Sequence, residues 1–214
     1  HLQQAREKLQ KLGALEAEQK ITAHGRAMAA LPVHPRYAHM LLRANEHDMG
    51  ALACDVAALL DERDILRGEK DANFHLRWLA LQHGGAVDRA VRERVKKQAQ
   101  RLREILKNHH DSAQHEDKIG LMLALCYPER VARRRDERGE RWQLASGTGA
   151  VLPVASVLCK GKWIAIADLD GEGRDARIYL AAAVQEEDLA TFLPELFFSG
   201  EEVVWSTQEE AVLA

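Results

Sequence analysis

The feature that most constrains the fold is a change of hydrophobic period partway along the chain. From Pro35 to Pro128 apolar residues recur every three or four positions, the spacing that gives a helix one buried face. Tyr37, Met40, Leu41 and Ala44 make one such set, and Leu52, Val56, Leu59 and Leu60 the next. "DANFHLRWLALQHGG" predicts a third helix, with Asp71 as its cap and Gly84–Gly85 as its stop. "DRAVRERVKKQAQRLREILKN" predicts the longest, and "DKIGLMLALCY" the last before Pro128. After Arg138 the pattern turns to short apolar or alternating runs, "RWQLAS", "AVL", "KWIAIADL", "RIYLAAAV" and "EEVVWS", punctuated by glycines. "DLDGEGRDAR" reads as a hairpin connection and "EEDLATFLPELF" as a short helix. A helical bundle followed by a small antiparallel barrel of the oligonucleotide-binding kind, an α+β chain, is the architecture this order predicts.

The bundle is preceded by a shorter unit. Residues 1–11 read as a helix, "GALEAEQKIT" as a small hairpin or wing, and Thr22 as the cap of the helix "AHGRAMAAL". Helix, wing and helix together suggest the end of a winged-helix unit. Pro32 and Pro35 then stop one helix and start another, because proline lacks an amide donor and suits the first helical position. The chain begins with His, and we expect it to be a piece of a longer protein.

Charge narrows the partners. Residues 168–214 hold twelve acidic side chains against Arg174 and Arg177, a net of −10, so residues 1–167 hold +7 of the overall −3. Residues 88–107 carry eight basic and three acidic side chains. Within them Lys97, Arg101 and Glu104 or Lys107 recur at helical spacing, so a continuous basic edge could hold phosphates. The same spacing suits a solvated face braced by ion pairs. "ERVARRRDERGER" is a second basic stretch, leading toward Trp142 and Trp163, which either stack on bases or fill a core.

Several chemistries find no motif. There is no phosphate loop, since Gly161–Lys162 is followed by Trp163, and no G-x-G-x-x-G before a helix. No nucleophile elbow, H-E-x-x-H pair or C-x-x-C occurs. His109, His110 and His115 beside Glu116 and Asp117 suit a polar connector better than a metal site, and no metal is expected. His39 and Arg43, four apart, either face a ligand or lie on the surface. "DERD" at 61–64 ends a helix and does not follow a buried strand. Three scattered cysteines, no signal peptide and no membrane-spanning run favour a cytoplasmic protein.

"LGALEAEQKITAHGRAMAALPVHPRYAHMLL" resembles the winged-helix exit of DEAH-box ATP-dependent helicases. An L-G-A-L start (Leu12–Leu15) leads to a T-x-x-G helix (Thr22–Gly25) and an L-P-[hydrophobic]-x-P-R motif (Leu31–Arg36). Many relatives carry an acid where His34 stands, and "LPVHPR" is similar to the bacterial HrpB-type branch. "IGLMLALCYPERVARRR", "WQLASGTGAVL" and "KWIAIADL…RIYLAAAV" resemble that branch's junction and barrel strands, so the likeness covers nearly the whole chain. It implies four parts: 1–34, the end of a winged-helix domain; 35–128, a helical helicase-associated (ratchet) domain; 129–185, an oligonucleotide-binding-fold-like domain; and 186–214, the start of a C-terminal helicase-specific region. It also implies RecA-like motor domains elsewhere in the parent chain, which would bind ATP and Mg and drive 3′-to-5′ unwinding.

This region itself is then expected to hold no cofactor and no catalytic residue. Its expected partners are single-stranded RNA or DNA and those motor domains, with no membrane. Charge and position select Arg36 at the proline junction, Lys97 and Arg101 on the long helix, and Arg133, Arg134 and Arg135 entering the barrel as the nucleic-acid contacts. The alternative is a protein-interaction scaffold, its acidic segment docking partners or motor domains without touching nucleic acid.

Overall fold

The structure, a computed structural model, describes residues 2–107, 112–152, 156–170, 175–197, 204–206 and 211–213. Helix α1 (Leu2–Lys11) leads through Gly13 into a short turn closed by one antiparallel bridge between Leu15 and Ile21. Thr22 then caps α2 (Ala23–Ala29), its hydroxyl accepting from the Gly25 amide at 2.8 Å and donating to the Gly13 carbonyl at 2.7 Å. Gly25 is required for packing: a Cβ there would lie 2.2 Å from the Ala14 carbonyl oxygen. The T-x-x-G motif is therefore a cap and a close approach on one turn.

Pro35 opens α3 (Pro35–Asn45), where its missing donor costs nothing. Helices α4 (Gly50–Asp61), α5 (Phe74–His83) and α6 (Arg89–Leu106) complete a bundle around α7 (Ile119–Cys126), all eight residues of which are buried. The α5 cap is Asn73, whose side chain accepts from the His75 amide, and not Asp71, which accepts from Asn73 itself. Gly84 stops α5 with a positive φ of 80°.

The stretch read as a basic lead-in is itself a strand, β1 (Val131–Arg134). It joins β2 (Arg141–Leu144), β3 (Gly149–Val151), β4 (Trp163–Leu169) and β5 (Asp175–Val184) in a closed barrel of order β1-β2-β3-β5-β4. The barrel is not wholly antiparallel as expected: β5 runs antiparallel to β4 and so meets β3 parallel. Ala132, Trp142, Ala150, Ile164, Ala176 and Ile178 alternate into its interior. Trp142 is fully buried and donates to the Gly139 carbonyl at 3.0 Å, which makes it a core residue. Helix α8 (Glu186–Phe192) folds back on α7, and β6 (Val204–Ser206) pairs with β7 (Ala211–Leu213). The hairpin connection expected at Gly171 and Gly173 lies outside the described residues.

Barrel and bundle share elements. Val131, Ala165, Ala182 and Val184 pack into the bundle core while their neighbours Ala132, Ile164 and Ala181 fill the barrel. Gly120 lets α7 approach β5 so closely that a Cβ would stand 1.9 Å from the Ala183 carbonyl oxygen. No helix among the described residues is long and apolar enough to cross a membrane.

Candidate nucleic-acid interface

Helix α6 buries Val91, Val95, Ala99 and Leu102, which turns its remaining positions toward solvent or its neighbours. Asp88 fixes its start by accepting from the Ala90 and Val91 amides. The structure then sorts the basic residues that spacing alone could not. Arg92 caps the end of α5 through the Leu81 and Gln82 carbonyls, both at 2.9 Å. Arg94 pairs with Glu62 at 2.6 Å and, through that hydrogen bond, holds the Glu62 carboxyl down at about 2. Arg103 reaches inward to buried Asp55 at 2.5 Å. Arg89, Lys96, Lys97, Arg101 and Lys107 remain, all exposed and none in an ion pair with a described residue. Of these, Lys97 and Arg101 together border a cleft of about 310 Å³ between α4 and α6.

A second group of cations lies on the barrel. Arg134 turns toward the barrel end, where its guanidinium donates to the Cys159 carbonyl at 3.2 Å. Arg133 and Arg135 point outward, and the Arg133 guanidinium sits 5.8 Å from the centre of the Trp163 ring. The Arg135 amide bonds the Arg141 carbonyl at 2.8 Å, so the two residues stand opposite each other. Arg141 in turn faces Val151, and Val151 faces Arg177. Three exposed arginines thus occupy one cross-strand row, Arg135–Arg141–Val151–Arg177. Like charges directly opposite on a sheet repel unless an anion lies between them. None of the three forms an ion pair with a described carboxylate. Exposed Tyr179 adds an aromatic ring beside the row, 5.5 Å from the Arg177 guanidinium.

Sequence reasoning missed Arg141 and Arg177. The signal was available: reading 131–135 as a strand would have put Arg133 and Arg135 on one face and asked what lay opposite.

Arg36 lies elsewhere. Its side chain is only 12% exposed and makes a two-pronged pair with Glu129, at 2.6 and 3.2 Å. The same guanidinium donates to the Cys126 carbonyl at 2.7 Å and lies 5.0 Å from the centre of the Tyr127 ring. Burial raises the Glu129 carboxyl, but the bonds from Arg36 outweigh it and hold the group below its ordinary range. Burial, followed by the neighbouring Tyr37 hydroxyl, raises the Tyr127 hydroxyl well above its own.

The acidic string "DERD" is structural, with Glu62 holding Arg94 and Asp64 holding buried Arg77 at 2.9 Å. No group of three or more metal-ligating side chains occurs among the described residues, and His109 and His110 lie outside them. His39 borders a cleft that Arg43, Glu46 and Phe192 also line. It turns toward His24 on α2, Nδ1 to Nε2 at 2.9 Å.

No protein-family model matches the chain. The ATP-dependent RNA helicase HrpB of Escherichia coli (strain K12) is 34% identical over 215 residues, which cover 98% of this chain and 24% of that protein. Two crystal structures of E. coli HrpB, one described as a DExH-box NTPase and one as a DEAH/RHA helicase, share its fold. They align with TM-scores of 0.76 and 0.76 at 30% and 27% identity, covering 99% of this chain. The chain spans about a quarter of the length of these relatives. The likeness read from the L-G-A-L, T-x-x-G and L-P-V-H-P-R motifs and the expected α+β fold class are both borne out.

Proposed function

We infer that this chain is the accessory region of an HrpB-type DEAH-box helicase, contacting single-stranded nucleic acid and coupling it to motor domains elsewhere in the parent protein. ATP and Mg belong to those motor domains, and this region supplies grip and geometry. The four-part division drawn from the sequence, with the barrel as an oligonucleotide-binding fold, goes with this reading. So does a cytoplasmic location.

One observation carries the proposal. Two groups of exposed cations without an ion pair to a described residue stand together: Lys97 and Arg101 along one cleft of α6, and Arg133, Arg135, Arg141 and Arg177 on the barrel. Arginine and lysine without carboxylate partners are matched by phosphates, and an aromatic ring beside them offers a base somewhere to stack. Arg134, bonded to a backbone carbonyl, contributes mainly by shaping the barrel end.

The test is fluorescence anisotropy of labelled single-stranded RNA and DNA against the 214-residue chain at several salt concentrations. Binding should weaken with salt. Each lost phosphate contact should reduce the salt slope by about 0.7–1 unit and weaken all sequences alike. Lys97→Ala with Arg101→Ala should show this, as should Arg141→Ala with Arg177→Ala. Absence of binding at low salt would sink the nucleic-acid reading and leave the scaffold reading.

A further inference from the structure

Among the proposed contacts, the guanidinium that reaches across the longest stretch of chain is also one largely covered by its neighbours. Arg36, at the start of α3, bonds Cys126 and Glu129, some ninety residues away, where α7 passes into the barrel. Tyr127 lies between two cations, Arg36 at 5.0 Å and Arg130 at 4.9 Å from its ring centre. Arg130 carries the connection onward, donating to the Ala167 carbonyl on β4 at 2.8 Å. An unbroken path therefore runs from the proline junction through Glu129, Tyr127 and Arg130 into the barrel wall.

We propose that Arg36 is a positioning residue and not a phosphate contact: with Glu129, Tyr127 and Arg130 it forms a clamp that fixes the barrel relative to the bundle. The proposal rests on the nucleic-acid reading above for its purpose. A fixed angle lets one strand touch the α6 cations and the barrel arginines together, so that the second contact follows the first at high effective concentration. The chemistry of the joint suits the task. A planar guanidinium can meet a carboxylate with two bonds, cap a carbonyl and stack on a ring at once, which a lysine ammonium cannot do. Pro35 holds the backbone beside it at a fixed φ, so the fork is aimed by a stiff base.

The experiment is a double-mutant cycle on the 214-residue chain with Arg36→Lys and Glu129→Gln, read by two measurements. The first is anisotropy with oligonucleotides of about five nucleotides, which reach one surface, and about twenty, which reach both. As a clamp, either substitution lowers affinity for the long oligomer by about tenfold and leaves the short one unchanged. The double variant should be no worse than either single one. As a phosphate contact, Arg36 would behave oppositely: Glu129→Gln would free it and tighten binding, while Arg36→Lys would weaken both oligomers alike. That result overturns the proposal.

The second measurement is calorimetry, which does not depend on nucleic acid. Both variants should lower the midpoint of the single unfolding transition, the double variant no further than the worse single one, and unchanged midpoints in both overturn the clamp. Should the unaltered chain bind no oligomer, the nucleic-acid reading falls and calorimetry alone decides the clamp.

Discussion

His39 shows how much one residue's surroundings can set. Its ring is mostly buried between α2 and α3, and Nδ1 stands 2.9 Å from His24 Nε2, a spacing that needs a single proton between the two nitrogens. Burial above all, then His24 and Arg43, pull the His39 imidazole down to about 4, against a smaller upward pull from the Leu12 backbone. His24 is lowered too, again mainly by burial, with Glu46 opposing and Arg43 assisting. The folded state therefore prefers neutral rings. It is most stable above the ordinary histidine pKa of about 6.5 and loses stability as pH falls from there toward 4. From His39 alone the loss is about 1 kcal/mol by pH 5.5 and about 3 kcal/mol below pH 4. Urea unfolding at pH 7.5 and 5.5 should show it, and His39→Gln should flatten the difference. The sequence offered only that His39 and Arg43 lie four apart, because helical spacing reports which residues share a face and not what that face meets. Thr22 and Gly25 were legible as a cap and a motif, since capping is local. The close approach that makes Gly25 necessary depends on Ala14 and was not.

Elements were legible where their residues face two different environments. α3 and α6 each present a buried stripe and a polar one, so period alone gives their limits to within a residue or two. β1 was hidden because arginines stand at its last two positions and the one after, 133–135, masking the alternation. Helix α7 is the opposite extreme, apolar all round because bundle and barrel both cover it. Its glycine tests that placement. In an exposed helix, Gly→Ala is worth about 1 kcal/mol of stability through helix propensity. In α7 the added Cβ of Gly120→Ala would stand 1.9 Å from one backbone atom of β5 and 2.6 Å from the next, and no flexible side chain is there to yield. We expect a net destabilisation of about 2–3 kcal/mol, since strand and helix must separate. Chemical denaturation measures it, and an unchanged or raised midpoint would mean that α7 does not lie on β5 at this distance.

At the scale of the whole molecule, the sequence divides at changes of period, and a period does not report which faces meet. β4 and β5 are shared: Ala165 and Ala182 face the bundle core, while Ile164, Ile166 and Ala181 face the barrel interior. A long-range parallel bridge from Asn73 to Ala181 ties the start of α5 to the same strand, with the Ala181 amide donating to the Ala72 carbonyl at 2.8 Å. Two cores with one common wall cannot lose one side without exposing the other, so unfolding should be a single cooperative event. The variant that tests this is Ile166→Ala, which removes a fully buried side chain on the barrel side alone. The cavity should cost about 2–4 kcal/mol. If the wall couples the cores, native-state hydrogen exchange will show the most protected amides of α4, deep in the bundle, losing the same free energy as those of β2. If protection falls in β2 while α4 keeps its own, the barrel opens independently. The α6 cations and the barrel arginines would then be two separate grips, joined by a hinge that nucleic acid itself would have to close.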